Sequence, residues 1–287
     1  MKFRAVICEN NYMRELLNII ITFSKIDKNL IINIKPDKMV FLICSEIESS
    51  QALWCEIRAN SYFTEYEMTG VDPDESNEIY ITLNTANLVR AIAYIKSNPC
   101  AQLKLKLLRT DIACLLVEMG VPLETSSSNH AVSHEIPIAI IPRNEWDQFK
   151  LPTDIEYDIS MALPTWKSLK CLVDKIKNLS PCVTVYARKD GELAFVVETD
   201  IVIVTSHYKN LECLSIRSVP SDAGLDEQIT EAAVQIDSKR LSTIFDSVNF
   251  FDMKVIGKIT EEQRFNILFD IRPGVFLNSI LPSIALD

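Results

Sequence analysis

One pattern recurs along this chain at a constant offset of 153 residues, and that recurrence limits the possible fold more than any local motif. The segment NYMRELLNIIITFSKI (11–26) places Leu16, Ile19, Ile20, Phe23 and Ile26 at helical spacing. Adding the offset lands on Leu169, Leu172, Val173, Ile176 and Leu179, the apolar stripe of TWKSLKCLVDKIKNLSP (165–181). The next stretch, NLIINIKPDKMVFLI, reads as strand, turn, strand around Asp37. Its counterpart CVTVYARKDGELAFVV turns at Asp190. Further on, EIYITLNTANLVRAI (78–92) reads as a strand, a polar cap at Asn84 and a helix carrying Leu88 and Ile92. EAAVQIDSKRLSTIF (231–245) repeats it with Asp237, Leu241 and Phe245. Two helices share a period by chance easily. A register kept through a hairpin and a second helix points to a duplicated folding unit.

Each half then offers two helices and roughly eight strands, so the expected class is α+β, with both helices on one face of antiparallel sheets. The expected organisation is a first domain over 1–123, a connector over 124–142 and a second domain over 143–287. The connector rests on ETSSSNHAVSHEIPIAIIPR (124–143), serine-rich and then punctuated by proline, which reads as an exposed connector followed by an extended stretch. RSVPSDAGLDEQ (217–228) reads as a surface loop.

The residue inventory removes several function classes. With 48% hydrophobic and 24% charged residues, the chain reads as well cored rather than disordered. No apolar run reaches the ~18 residues of a membrane span, and MKFRAVICENNYM lacks the apolar core of a secretory signal, so an intracellular protein without a membrane partner is expected. Six glycines are few for a phosphate-cradling loop. None of the eight cysteines stands in a C-x-x-C pair, so reduced thiols buried as small hydrophobes are expected. His130 and His134 are four apart in a stretch that makes a poor helix, so no metal site is expected. No G-x-S-x-G, P-loop or H-E-x-x-H occurs. No catalytic residue and no cofactor is expected; a pair of acids brought together in space is the enzyme alternative.

Charge is unevenly placed. The net charge is −10, yet the four helical segments 11–28, 85–98, 165–178 and 238–247 together carry +7, leaving −17 for the rest. At 100° per residue, Lys167, Lys170 and Lys177 share an arc of about 80° away from the apolar stripe, with Asp174 among them and Lys175 apart, and Arg14, Lys25 and Lys28 share about 60°. Arg90 lies opposite Leu88 and Ile95. Ordinary solvated faces mix signs. A depletion of acids on these faces, in an acidic chain, points to a polyanion. Lysines on helices meet phosphates and carry no base-edge code, so binding would be sequence-independent and salt-sensitive.

Duplicated units with basic helices and acidic sheets resemble the DNA sliding clamps. MKFRA, KPDKMVFLIC, LWCEI, NEIYITL, SHEIPIAIIPRNEW, LPTWKSLKCLVDKIKNLSP, DGEL and VTSHYKNL resemble the Hus-one family of the nine-one-one checkpoint clamp, as do VQIDSKRLSTIF and LPSIALD towards the end. The resemblance implies a non-catalytic subunit of a heterotrimeric ring with Rad-nine and Rad-one clamp subunits. A clamp loader would place the ring around duplex DNA in the nucleus, where it serves the damage checkpoint and repair enzymes; the cytoplasm is a second location. A homotrimeric replicative processivity clamp is the alternative. The implied inner-face residues are Arg14, Lys25, Arg90, Lys167, Lys170, Lys177, Lys239 and Arg240, with simple exposure in a capping turn the competing reading of the last two. Ring closure needs open sheet edges. These are expected at ACLLVEM (113–119) and DIVIVTSHY (200–208), and a docking region for partner peptides at 124–140.

Overall fold

Asn84 and Asp237, the two polar residues 153 apart, both cap helices. In the computed structural model the Asn84 Oδ1 accepts from the Ala86 N–H at 3.0 Å and the Asp237 Oδ1 from the Arg240 N–H at 2.8 Å. The structure describes all residues except 45–51, 71, 73–75, 110–111, 122–129, 153–154, 221–225, 251 and 285–287. The first half runs β1 (Lys2–Ile7), α1 (Asn10–Ser24), β2 (Asn29–Ile34), β3 (Lys38–Cys44), β4 (Ala52–Arg58), the short α2 (Ala59–Tyr62), β5 (Glu65–Thr69), β6 (Ile79–Asn84), α3 (Thr85–Ile92), β7 (Gln102–Arg109), β8 (Ala113–Val121) and β9 (His130–Pro137). After β10 (Ala139–Ile140) the second half repeats it as β11 (Ile159–Ala162), α4 (Trp166–Ile176), β12 (Cys182–Arg188), β13 (Leu193–Glu198), β14 (Ile203–Tyr208) and β15 (Cys213–Ile216). A small hairpin, β16 (Ser218–Pro220) and β17 (Asp226–Gln228), is inserted before β18 (Glu231–Asp237), α5 (Ser238–Ser247), β19 (Lys254–Thr260), β20 (Arg264–Arg272) and β21 (Val275–Pro282).

Sheet order shows the duplication directly. In the first half β5-β1-β7-β8-β9 form one sheet and β6-β2-β3-β4 run side by side; in the second half the matching orders are β15-β11-β19-β20-β21 and β18-β12-β13-β14. The halves are fused where β21 pairs antiparallel with β4, from Val275 opposite Ile57 to Ile280 opposite Ala52. That pairing makes a single ten-stranded sheet spanning both halves, β10-β6-β2-β3-β4-β21-β20-β19-β11-β15. The helices pack on the inner faces of these sheets through the repeated stripe: Leu16, Ile19, Ile20 and Phe23 on α1, and Leu169, Val173 and Ile176 on α4, are buried in one continuous core. Phe23, Phe41, Phe245, Phe265 and Phe269 are fully buried within it. Each such side chain contributes about 1.5–3 kcal/mol by leaving water.

Four expectations need correction. The strand at 113–119 is not an open edge. β9 pairs with β8 along its length, from Cys114 opposite Pro137 to Val121 opposite His130, so β9 is the edge. Residues 130–137 are thus the extended stretch expected after the serine-rich part of the connector, and they are paired as a strand; the alternation of Val132, His134 and Ile136 with Ser133 and Glu135 is a strand period, and proline is tolerated at an edge. Residues 124–129 lie outside the described residues, and Ala139–Ile140 pairs with β6. Next, 217–228 is in part the β16–β17 hairpin rather than a loop. Leu179 is 47% exposed, because α4 ends at Ile176 and helical spacing no longer applies beyond it; its repeat partner Ile26 also lies past the end of α1. Lastly, Cys8 and Cys171 are exposed rather than buried, although the seven described cysteines are all free thiols. The other expected edge, at 200–208, does contain an edge strand, β14.

Candidate nucleic-acid interface

The four long helices form one layer that crosses the fusion between halves, in the spatial order α3-α1-α5-α4. The α1–α5 contact is polar as well as apolar. Thr22 Oγ1 donates to the Ser247 carbonyl at 3.3 Å, and Lys25 Nζ, just past the end of α1, donates to the Asp246 carbonyl at 3.0 Å. Trp166 at the start of α4 stacks on Phe245 of α5 with ring centroids 4.0 Å apart and meets Phe269 edge-on. These contacts fix the helices against one another, so the side chains on their solvent side form one surface.

The eight cationic residues named from sequence divide into three groups. Arg14 on α1, Lys167 on α4, and Lys239 and Arg240 on the first turn of α5 are exposed, without an ion pair among the described residues. The Arg240 N–H serves the Asp237 cap while its side chain stays in solvent, so capping and exposure coexist there. Lys25, Lys170 and Lys177 converge on one residue: Lys170 Nζ lies 3.5 Å from Asp246 Oδ1, Lys177 Nζ 3.5 Å from Asp246 Oδ2, and Lys25 on its carbonyl. Lys177 also pairs with Asp174 at 2.8 Å. Arg90 stands apart. Its guanidinium donates to Asn87 Oδ1 at 2.5 Å, beside a shallow pocket lined also by His134, Glu135 and Pro137 of β9, which places it at the open edge of the first half.

Sequence reasoning missed Asp246 as the meeting point, because three helices bring the cluster together and no single helical wheel contains it. Partial burial pushes the Asp246 carboxyl up, but Lys177 and Lys170 outweigh it and hold the group below the usual aspartate range. Lys177 is raised, first by its hydrogen bond to Asp174.

The outer side of the first half is covered differently. Trp146, on the 3₁₀ turn Arg143–Phe149, packs on Tyr80 and donates from Nε1 to the Ile141 carbonyl at 2.9 Å. Phe149, Leu151 and Ile155 then lie over Val40, Leu42, Trp54 and Ile280 on the outer sheet face. These side chains cover part of the outer sheet face beside the expected docking region, in which Ile140 stays exposed.

The family model for Hus1-like proteins matches residues 1–285. The chain belongs to the Hus1-like family. The human checkpoint protein HUS1 is 35% identical over 99% of this chain and 100% of its own length. The checkpoint protein Hus1-like of Drosophila melanogaster is 31% identical over the full length of both. A hus1 homologue of Dictyostelium discoideum is 26% identical over 74% of this chain and 75% of its own. Among solved structures, PCNA from Thermococcus kodakaraensis superposes with a TM-score of 0.67 over 98% of this chain and 99% of that one, at 16% identity, a likeness of fold alone. The Hus1-like chain therefore has the sliding-clamp fold, in agreement with the α+β expectation and its duplicated unit. Among its described residues no group of three or more His, Cys, Asp or Glu side chains could hold a metal ion.

Proposed function

We propose that this Hus1-like chain is a non-catalytic subunit of a heterotrimeric, ring-shaped DNA clamp that acts in the damage checkpoint and in repair. Its neighbours in that reading are the Rad-nine and Rad-one clamp subunits, a clamp loader places the ring on duplex DNA, and the complex works in the nucleus. Support for the checkpoint role comes from relatives named as checkpoint proteins over the full chain.

The observation that carries the ring is the internal junction. Inside the chain β21, last strand of the second half, pairs with β4 of the first. The matching pair, β9 and β14, has one neighbour each and is left open. Such open edges invite pairing with another chain. Joining β9 of one chain to β14 of a clamp-like neighbour repeats the junction already present, and three two-module chains close a ring of six modules. The helix layer, with Arg14, Lys167, Lys239 and Arg240 in solvent, would then face the duplex.

Recovery of the tagged chain from nuclear extract should yield two clamp-like proteins in equal amounts. Recovery of copies of itself alone would favour the homotrimeric processivity clamp. Reversing Lys167, Lys170 and Lys177 to Glu should weaken retention on circular duplex at low salt and leave assembly intact; loss of assembly would make those lysines structural instead.

A further inference from the structure

A carboxylate at the centre of a surface that meets phosphates is a liability, and Asp246 is such a group. It lies on α5 between α1 and α4, half exposed, with Lys170 and Lys177 on its two carboxylate oxygens and Ser242 Oγ donating to Oδ2 at 3.3 Å. The residue 153 earlier is Ala93, exposed on the 3₁₀ turn after α3, so the first half has no counterpart. The carboxylate reaches α4 only through part-exposed ion pairs to Lys170 and Lys177, which add little to stability. The contact that ties α5 to α1 uses the Asp246 carbonyl, not its carboxylate, and the apolar contacts between α4 and α5 are made by Trp166 and Phe245.

We infer that Asp246 is a positioning residue of the duplex-facing surface: it holds Lys170 and Lys177 in place between contacts and competes with phosphate for them, limiting the strength of the grip. This rests on the reading that the helix layer faces duplex DNA. Exposed ion pairs are worth about 0–1 kcal/mol, so a phosphate displaces the carboxylate readily, while the fixed negative charge still opposes the approaching backbone. Asp174 acts alongside on Lys177 only; Asp246 is the acid common to both lysines.

The test is equilibrium binding of the full chain to a labelled linear duplex, read by fluorescence anisotropy over a salt series. Asp246→Asn keeps the side-chain shape and leaves the backbone carbonyl in place. It should tighten binding about tenfold at 0.1 M salt and steepen the dependence of log K on log salt by about 1–2, since each recovered phosphate contact adds about 0.9 to that slope. In a Lys170→Gln, Lys177→Gln background the same substitution should lose most of its effect, which separates action through the lysines from a general loss of negative charge. A thermal melt within about 2 °C of wild type accompanies these results, as expected for a surface substitution. Unchanged or weaker binding by Asp246→Asn, while Lys167→Glu still weakens binding, overturns the inference and leaves the duplex-facing surface standing. If Lys167→Glu and Arg14→Glu also change nothing, the duplex-facing reading fails and takes the inference with it.

Discussion

Glu15 is the most perturbed carboxylate described in the protein. Burial pushes it up to about 7, and the Arg272 guanidinium, 4.0 Å away, offsets only part of that. Arg272 is committed elsewhere: it lies over the Tyr12 ring at 3.6 Å and donates to the Ser61 carbonyl, while Tyr62 gives its hydroxyl proton to the Tyr12 carbonyl. One Glu15 oxygen is buried without a hydrogen-bond partner. The folded pKa thus exceeds the unfolded value, so the group's contribution to stability is full below about 4.5 and is lost as pH rises through about 7. Glu15→Gln should therefore melt close to wild type at pH 5 and roughly 2–6 °C higher at pH 8. An equal difference at both pH values contradicts the assignment. No helical wheel exposes this site, because Arg272 comes from the other half of the chain.

At the level of elements, the repeat makes paired predictions. Asn84→Ala and Asp237→Ala each remove an observed N-cap, and each should cost about 1 kcal/mol in denaturant unfolding. A loss at one cap alone would mean the two helices are not equivalent. Phe245→Ala, which empties a fully buried site and removes the partner of Trp166, should cost about 3–5 kcal/mol. Both caps and the two apolar stripes were legible because helical period and capping chemistry are local. What was not legible is instructive. β9 was legible only as an extended stretch, since its serines and prolines also suit a connector and its strand signal, Val132-x-His134-x-Ile136, is a period of two over only five residues. Leu179 and Ile26 kept the helical phase past the points where the helices stop, and periodicity alone does not mark a C-terminus that lacks a glycine.

For the molecule as a whole, the fold follows from two copies of one unit meeting at β4 and β21, with the four helices gathered on one side of the sheets. The duplication was readable from the 153-residue offset; the seam was not, since it joins residues more than 200 apart in sequence. The cationic surface was readable as residue types, but its division into free cations, an Asp246 cluster and an edge-lying Arg90 depends on tertiary placement. A larger ring requires the open edges of β9 and β14 as its joints. Backbone amide hydrogen exchange, compared between the isolated chain and its assembly with two clamp-like partners, addresses this directly. Slowed exchange confined to 130–137 and 203–208 is the predicted result, with the internal β4–β21 seam protected in both states. Protection that appears elsewhere while β9 and β14 continue to exchange freely would contradict it.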